Sequence, residues 1–529
     1  MAVMKLGDRG LAFAALLSSA ALFGLRMHVA TGTGFGDSEA LYACYALHPQ
    51  PAYLDHPGLI GSLARLIGRG SAPAPFVTHL ITAALAAWVP WVGAFASWAA
   101  GAPTRGALTT ALALIWVPEL AIGLFGLTPD LPLALFWLGA LGLAGLAARA
   151  PAASLRALLC TLGVGALVGL ATLSKLSGAL LGLSLVIASL HRDLRGRYRT
   201  LAPWGALGVC AILVAPLVHW EIGQGFPMAR HRLVATQAAA GLSLRNLGAF
   251  LGGQLAYVTP PFLLAVALLA RDLFRRRAES AVSAVLFASV AVPALPLALL
   301  CLWSRVAEPH WFAPAYLGLA LQLGRAPIVG PRLARACWLT GLGVVAFAWV
   351  WIRTPLAPRW LGKAYRPRYD IANDLYAWHD GARLLARGLD SLPPGEGYAV
   401  VGPHWTICAQ AHAALGRRVP VGCNGPRRDD FDDWLPRERW AAARHVLYVH
   451  DSRFAVDPEH DLPGRAVRGV FTAQVLRGDR VVRTLWVTHL ERAGADARAQ
   501  AGAADSPAER INSASASGPG LGVVSNVSP

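Results

Sequence analysis

The run "LAFAALLSSAALFGL", Leu11–Leu25, is followed closely by "GDSEALYACYALHPQPAYLDHP", Gly36–Pro57. The first stretch carries no charge and reads as a membrane-spanning helix. The second places Asp37, Glu39, Asp55 and His56, with Tyr42, Tyr45 and Tyr53, just beyond it. Ionisable groups in a membrane chain are expensive, and their gathering beside a span points to a site.

The composition agrees with a membrane reading. Of 529 residues, 55% are hydrophobic and only 15% charged, too little charge to cover a soluble surface of this size. Lys plus Arg exceeds Asp plus Glu by 47 − 30 = 17, which in a soluble chain would suggest nucleic acid. Here the basic residues fall in short loops between apolar runs and in the C-terminal third, so they read as an orientation signal and no nucleic-acid partner is expected. The start "MAVMKLGDRG" plus its apolar run also has the layout of a secretory signal. No small-x-small cleavage site follows and further apolar segments do, so it is read as a retained first span.

A span needs about 20 apolar residues, and by that measure about eleven candidates are centred near residues 20, 88, 116, 138, 163, 182, 210, 259, 292, 317 and 344. With the N-terminus inside, the cytoplasmic loops hold Arg105, Arg149 and Arg156, the Arg192–Arg199 cluster, Arg271 to Arg277, then Arg325, Arg332 and Arg335. The opposite loops hold Asp37, Glu39, Asp55, Asp130, Glu221 and Glu308. Acids have little influence on topology, so their presence on one side needs another cause, and a reaction site is the natural one.

Residues 1–358 are therefore read as the membrane domain, with a first outer loop over 31–75. From Arg359 the pattern changes to the helix-like "YDIANDLYAWHDGARLLARGLDSL" and the β-type runs "YAVVG", "HVLYVHD" and "RTLWVTHL". Residues 359–492 are expected to form a small soluble α/β domain on the same outer side as the acids. The Ala, Gly and Ser-rich tail 493–529 is expected to be disordered. Cys408 and Cys423 lie in that domain and are expected to pair, stabilising it by about 3 kcal/mol. His404, His412 and His450 show no ligand-like spacing and are read as core or surface residues.

In the first loop, Asp37 and Glu39 are two apart and on a helix would point different ways. Asp37 or Ser38 can serve simply as the N-cap of a helix along the membrane surface, worth about 1 kcal/mol. A cap does not explain the second acid and His56 in "YLDHPGLIGSLARLIG", which a second interfacial helix would bring close.

"SEALYACYALHPQPAYLDHP" resembles the first-loop pattern of polyprenyl-phosphate-sugar dependent glycosyltransferases of the GT-C fold, related to protein O-mannosyltransferases and aminoarabinose transferases (glycosyltransferase family 39-like). That pattern has an Asp-Glu pair before Ala-Tyr-Tyr and an aromatic-acid-His/Lys-Pro motif after it. The resemblance continues in order through "LTPDLPLALFW", "LSKLSGALL", "HWEIGQGFPMARHRL" and "EPHWFAPAYLGLAL". One departure is that Ser38 stands where the family usually has its Asp, with Glu39 on the family's Glu and Asp37 one residue early.

The resemblance implies a polytopic α-helical enzyme with a C-terminal extracytoplasmic α/β domain, held in the inner (plasma) membrane. It would transfer a sugar, a hexose or a pentose, from a polyprenyl-phosphate donor to a hydroxyl on a protein, lipid or glycan acceptor, with inversion. It implies Asp37 as the base, backed by Glu39. Asp55 matches a position that helps hold a divalent metal in one branch, with His231 as second ligand and the ion unidentified. Lys175, Arg230 and Arg232 are candidates for gripping the lipid phosphate, and His56, Asp130, Glu308 and His310 for lining the donor cavity. For Lys175 the plain alternative is snorkelling at the interface, and for Asp130 a helix N-terminal acid favoured by the dipole. The competing function is a transporter or flippase, which would place its ionisable groups near the bilayer midplane on broken helices.

Overall fold

The computed structural model describes residues 7–238 and 240–492. The tail expected to be disordered lies outside them.

Among the described residues, seven helices are long and apolar enough to cross a membrane: Asp8–Ala30, Pro75–Ala99, Asp130–Arg149, Leu155–Ser174, Leu201–Gly223, Ala281–Trp303 and Pro331–Arg353. They coincide with the expected centres near 20, 88, 138, 163, 210, 292 and 344. The expected span near 259 is a pair, Leu244–Tyr257 and Pro260–Arg276, bent by 98° where Pro260 and Pro261 interrupt the chain. It brings the count to eight if it crosses as one. The centres near 116, 182 and 317 fall on Thr104–Trp116, Gly178–Ser189 and Pro314–Arg325, of 13, 12 and 12 residues. These are shorter than a straight crossing requires.

Small residues let these helices approach closely. A methyl group on Gly106 would strike the Gly324 carbonyl, and one on Gly165 the Ala206 carbonyl. Arg26, inside the first span, is 2% exposed and donates through Nη2 to the carbonyls of Leu120 and Ala121 at 2.8 and 2.9 Å. Those carbonyls belong to the short helix Pro118–Gly123 that follows the break after Trp116, so Nη2 finds its acceptors inside the bundle while the buried Nε has none among the described residues.

The loop after the first span forms a helix, Asp37–Tyr45, a turn, and a second helix, Leu59–Ile67. The second helix is amphipathic, burying Ile60 and Ala64 while Leu66 is exposed. The first does not lie along a free membrane surface: Glu39 to Tyr45 are all buried. The C-terminal domain covers Cys44 and Tyr45, and the bundle covers Glu39.

That domain contains a five-stranded sheet in the order β2-β1-β3-β5-β4. β1 (Tyr398–Gly402) runs parallel to both β2 (Val421–Cys423) and β3 (His445–Asp451), while β4 (Arg465–Arg477) and β5 (Arg480–Arg492) form a hairpin whose β5 arm pairs antiparallel with β3. The helix Trp405–Leu415 connects β1 to β2, as a parallel pair requires. The three β-type runs of the sequence are β1, β3 and part of β5. One hydrophobic core runs from Phe35, Tyr45 and Tyr53 of the first loop into Val400, Ile407 and Leu447. The segment 31–75, grouped with the membrane domain from sequence, thus shares its interior with the C-terminal domain.

The expected Cys408–Cys423 disulfide is not formed. Both cysteines are buried free thiols, and the hydrogen bond to the Cys408 sulfur, with burial second, raises the Cys423 thiol well above its ordinary range. His412 is buried and His404 and His450 half-buried, as core residues.

Candidate functional site

Five segments that are far apart in sequence deliver charged side chains to one place. Asp55 and His56 come from a turn closed by Tyr53 N–H to the His56 carbonyl at 2.9 Å and Gly58 N–H to the Pro51 carbonyl at 2.8 Å. Asp130 opens the helix Asp130–Arg149, and Lys175 ends Leu155–Ser174 as an extended C-cap. His231 and Arg232 ride on the short helix Pro227–Leu233, whose first turn is held by the Glu221 carboxylate accepting Met228 and Ala229 N–H at 3.0 and 3.1 Å. Glu308, His310 and Trp311 belong to a 3₁₀ turn before Pro314–Arg325.

The contacts form two linked groups. Asp55 Oδ1 lies 3.2 Å from Arg232 Nη2 and 3.4 Å from His231 Nε2, while Arg232 Nε donates to the Asp55 carbonyl at 3.0 Å. Lys175 Nζ bridges both Asp130 oxygens at 2.8 and 3.1 Å; His310 Nε2 stands 3.9 Å from the same carboxylate and its Nδ1 3.2 Å from Glu308. Trp311 joins the groups: Lys175 Nζ and the Arg232 guanidinium each lie 5.5 Å from its ring centroid.

The electrostatics follow from these partners. Burial works to raise the Asp55 carboxyl, but the His231 hydrogen bond and the Arg232 charge outweigh it and hold the group well below the usual carboxylate range. Burial, with Arg232 nearby, pushes His56 down to about 3, so it is neutral and offers a hydrogen bond rather than a charge. The His310 hydrogen bond lowers Glu308 and keeps it ionised.

Asp55, His56, Asp130, Lys175, His231, Arg232, Glu308 and His310 are thus brought together as expected from the sequence. Arg230, one residue from His231, is exposed and makes none of the cluster's contacts described above. Asp37 and Glu39 are not in the cluster, and the helix they share explains why: two residues apart, they face opposite ways. Asp37 pairs with Arg453 of the C-terminal domain and accepts from Gln410 Nε2 at 3.4 Å. Arg453 is shared with Asp451 and Asp374, which Arg483 also bridges. Glu39 is 6% exposed and turned into the bundle, where it accepts Leu127 N–H at 2.8 Å and Gly36 N–H at 3.0 Å and lies 3.1 Å from His79 Nε2. Both carboxylates help to fix the loop. Asp37 and Glu39, expected as the base and its support, therefore stand outside the cluster.

The sequence reading passed over Trp311, although it sits in a quoted motif, and Glu119, which is within electrostatic reach of His310, Asp130 and Lys175. A tryptophan between two segments rich in cations was the available signal for the first. Nothing in "WVPEL" marks the second.

The metal expectation meets a poor donor set. Asp55 and His231 supply two donors, and among the described residues no group of three His, Cys, Asp or Glu side chains could hold an ion. The Asp55 oxygen nearest His231 is also the one paired with Arg232. The residues present do not fit a protein-held metal centre.

Comparison with known proteins supports this reading of the fold. The profile of the family described as Dolichyl-phosphate-mannose-protein mannosyltransferase matches residues 61–220, a stretch that contains Asp130 and Lys175. Two crystal structures of ArnT from Cupriavidus metallidurans are similar over nearly the whole chain. The apo form superimposes with a TM-score of 0.60 at 17% identity, covering 90% of this chain and 98% of that one. The form bound to undecaprenyl phosphate gives 0.57 at 18%, covering 90% and 97%. No curated protein sequence matches.

Proposed function

This chain is a multi-pass membrane protein of the GT-C fold, and we propose that it is a glycosyltransferase that takes its sugar from a polyprenyl phosphate and passes it to an acceptor hydroxyl. The observation that carries the reading is Trp311 flanked by Lys175 and Arg232, each cation already oriented by a carboxylate, Asp130 or Asp55. Sugar transfer from a lipid phosphate leaves a phosphate with growing negative charge. Two preoriented cations beside a flat apolar ring suit that leaving group and the carbon chain behind it.

The acceptor hydroxyl must lose a proton as the anomeric carbon is attacked. Asp55, held far down by its partners, is a weak base; a useful one lies nearer the working pH. His310 is better placed: Glu308 engages Nδ1 and leaves Nε2 facing the Asp130–Lys175 pair. In this scheme Glu308 orients the ring, His310 takes the proton through Nε2, Lys175 and Arg232 stabilise the departing phosphate, and direct displacement inverts the anomeric centre. A transporter would keep its ionisable groups at mid-span, whereas these occupy helix ends and loops. The basic loops favour the site lying on the extracytoplasmic face of the inner membrane. The acceptor class, whether protein, lipid or envelope glycan, and the sugar follow from surfaces beyond this cluster.

The test is release of polyprenyl phosphate from a polyprenyl-phosphate sugar by the purified protein in detergent. Wild type should turn over at least one such donor, with His310→Ala and Glu308→Gln slower by about 10² to 10⁴ and about tenfold respectively. Full activity in His310→Ala would remove it as the base, and no donor use by wild type would remove the enzyme reading.

A further inference from the structure

The C-terminal domain reaches toward the cluster through a single carboxylate. Asp430, in the first turn of the helix Asp430–Trp434, is 5% exposed. Its Oδ1 accepts the Leu54 N–H at 2.9 Å and its Oδ2 the Tyr45 hydroxyl at 3.0 Å. Both partners lie in the first loop, and Leu54 immediately precedes Asp55.

The surroundings make this a clamp on the turn. The Tyr45 and Tyr53 rings stack at 3.6 Å, and the Tyr53 hydroxyl donates to the carbonyls of Tyr45 and His48 at 3.1 and 2.9 Å. Trp434, on the same short helix as Asp430, stacks on His48 at 4.2 Å. On the far side, Arg232 grips the Asp55 carbonyl. The turn is therefore tied to the membrane bundle at Asp55 and to the C-terminal domain at Leu54. Asp430 is not needed to cap its own helix, because Asp429 does so, accepting Phe431 N–H at 2.9 Å. A buried carboxylate whose oxygens both serve another segment is placed for that segment.

We propose that Asp430 is a positioning residue for the reaction: by holding Leu54 it sets where Asp55 and His56 stand against Arg232, so the C-terminal domain completes the site. The catalytic half of this inference rests on the function proposed above; the clamp itself does not.

The experiment uses full-length protein in detergent, as wild type, Asp430→Ala, Asp430→Asn and Tyr45→Phe. Hydrogen exchange of the peptide spanning residues 51–58 and steady-state kinetics with a polyprenyl-phosphate sugar are both measured. Asp430→Ala should speed exchange at Leu54 about tenfold and lower kcat/KM about 10²-fold, the scale of a misplaced site group, with a rise in donor KM. Asp430→Asn keeps an oxygen for the Leu54 N–H and should recover most of the loss; Tyr45→Phe should fall between. A folding defect would reduce the active fraction and lower kcat alone, with donor KM unchanged, and that result overturns the proposal. So does unchanged exchange at 51–58 in Asp430→Ala; should that variant not fold, Asp430→Asn and Tyr45→Phe decide on the same readouts. If wild type uses no donor, the functional reading and the catalytic half fail together, while exchange still decides the clamp.

Discussion

Lys175 shows how one side chain can be read in two ways until its partners are known. At a helix end it has the look of a snorkelling lysine, yet its ammonium bridges both oxygens of Asp130 and faces Trp311. Lys175→Met should therefore lower donor turnover by about 10² to 10³, as loss of a preorganised donor does. A steady-state assay checks this, and an effect below about threefold would return Lys175 to an interfacial role. The same logic applies to the metal. With Arg232 and Lys175 supplying the positive charge and only two donors beside them, the proposed activity should survive exhaustive chelation; abolition by chelator and recovery with one divalent ion would show otherwise.

At the scale of elements, the helix Asp37–Tyr45 divides its two acids between neighbours. Asp37, Asp374 and Asp451 converge on Arg453 and Arg483. Removing Arg453 takes the cationic partner from Asp37 and leaves Asp374 and Asp451 to Arg483 alone, a loss of about 3 kcal/mol. Arg453→Ala should accordingly lower the thermal midpoint in detergent, whereas Asp37→Asn should change stability only modestly and leave kcat within a few-fold of wild type. A stable Asp37→Asn protein devoid of activity would reinstate Asp37 as base. This is also where sequence reading ended. The order of motifs from Leu127 to Leu321 was enough to gather Asp130, Lys175, Arg232 and His310, because each lies at a helix end whose position the apolar pattern reveals. The destination of Asp37 depends on Arg453, a residue 416 positions away, and no periodicity reports such a partner. Glu39 was equally opaque: its acceptor role at the Leu127 N–H arises only once two loops are packed together. Breaks such as that at Pro260 and the short helices near 116, 182 and 317 were hidden because an apolar run reads alike whether straight, bent or interrupted.

For the molecule as a whole, buried histidines join the two domains and contribute to its response to acid. His48 of the first loop and His412 of the C-terminal domain approach with Nε2 atoms 2.8 Å apart, and burial lowers them to about 4 and about 3. His56 behaves likewise. In the unfolded chain such groups bind protons below about pH 6.5, while in the folded one they stay neutral until pH 4 to 3. Between those limits the unfolded state holds more protons, so stability falls as pH falls, by up to about 1.4 kcal/mol per unit for each fully buried group. Asp429 and Asp430, raised by burial to about 6 and about 7, act in the opposite sense, so the histidine contribution is read by difference: between pH 6.5 and pH 4 the thermal midpoint of wild type should lose more, or gain less, than that of His412→Phe. Equal slopes in the two proteins would contradict this.

The interior shared by the first loop and the strands has a consequence for biosynthesis. Cys44 of the loop touches the Ala409 carbonyl, 365 positions downstream. At about 5–20 residues per second, a ribosome needs from roughly twenty seconds to more than a minute to make that partner. Throughout this interval Tyr45 and Tyr53 lack the cover that the C-terminal domain later supplies, and a factor that shields nascent apolar surface would raise the number of chains that mature.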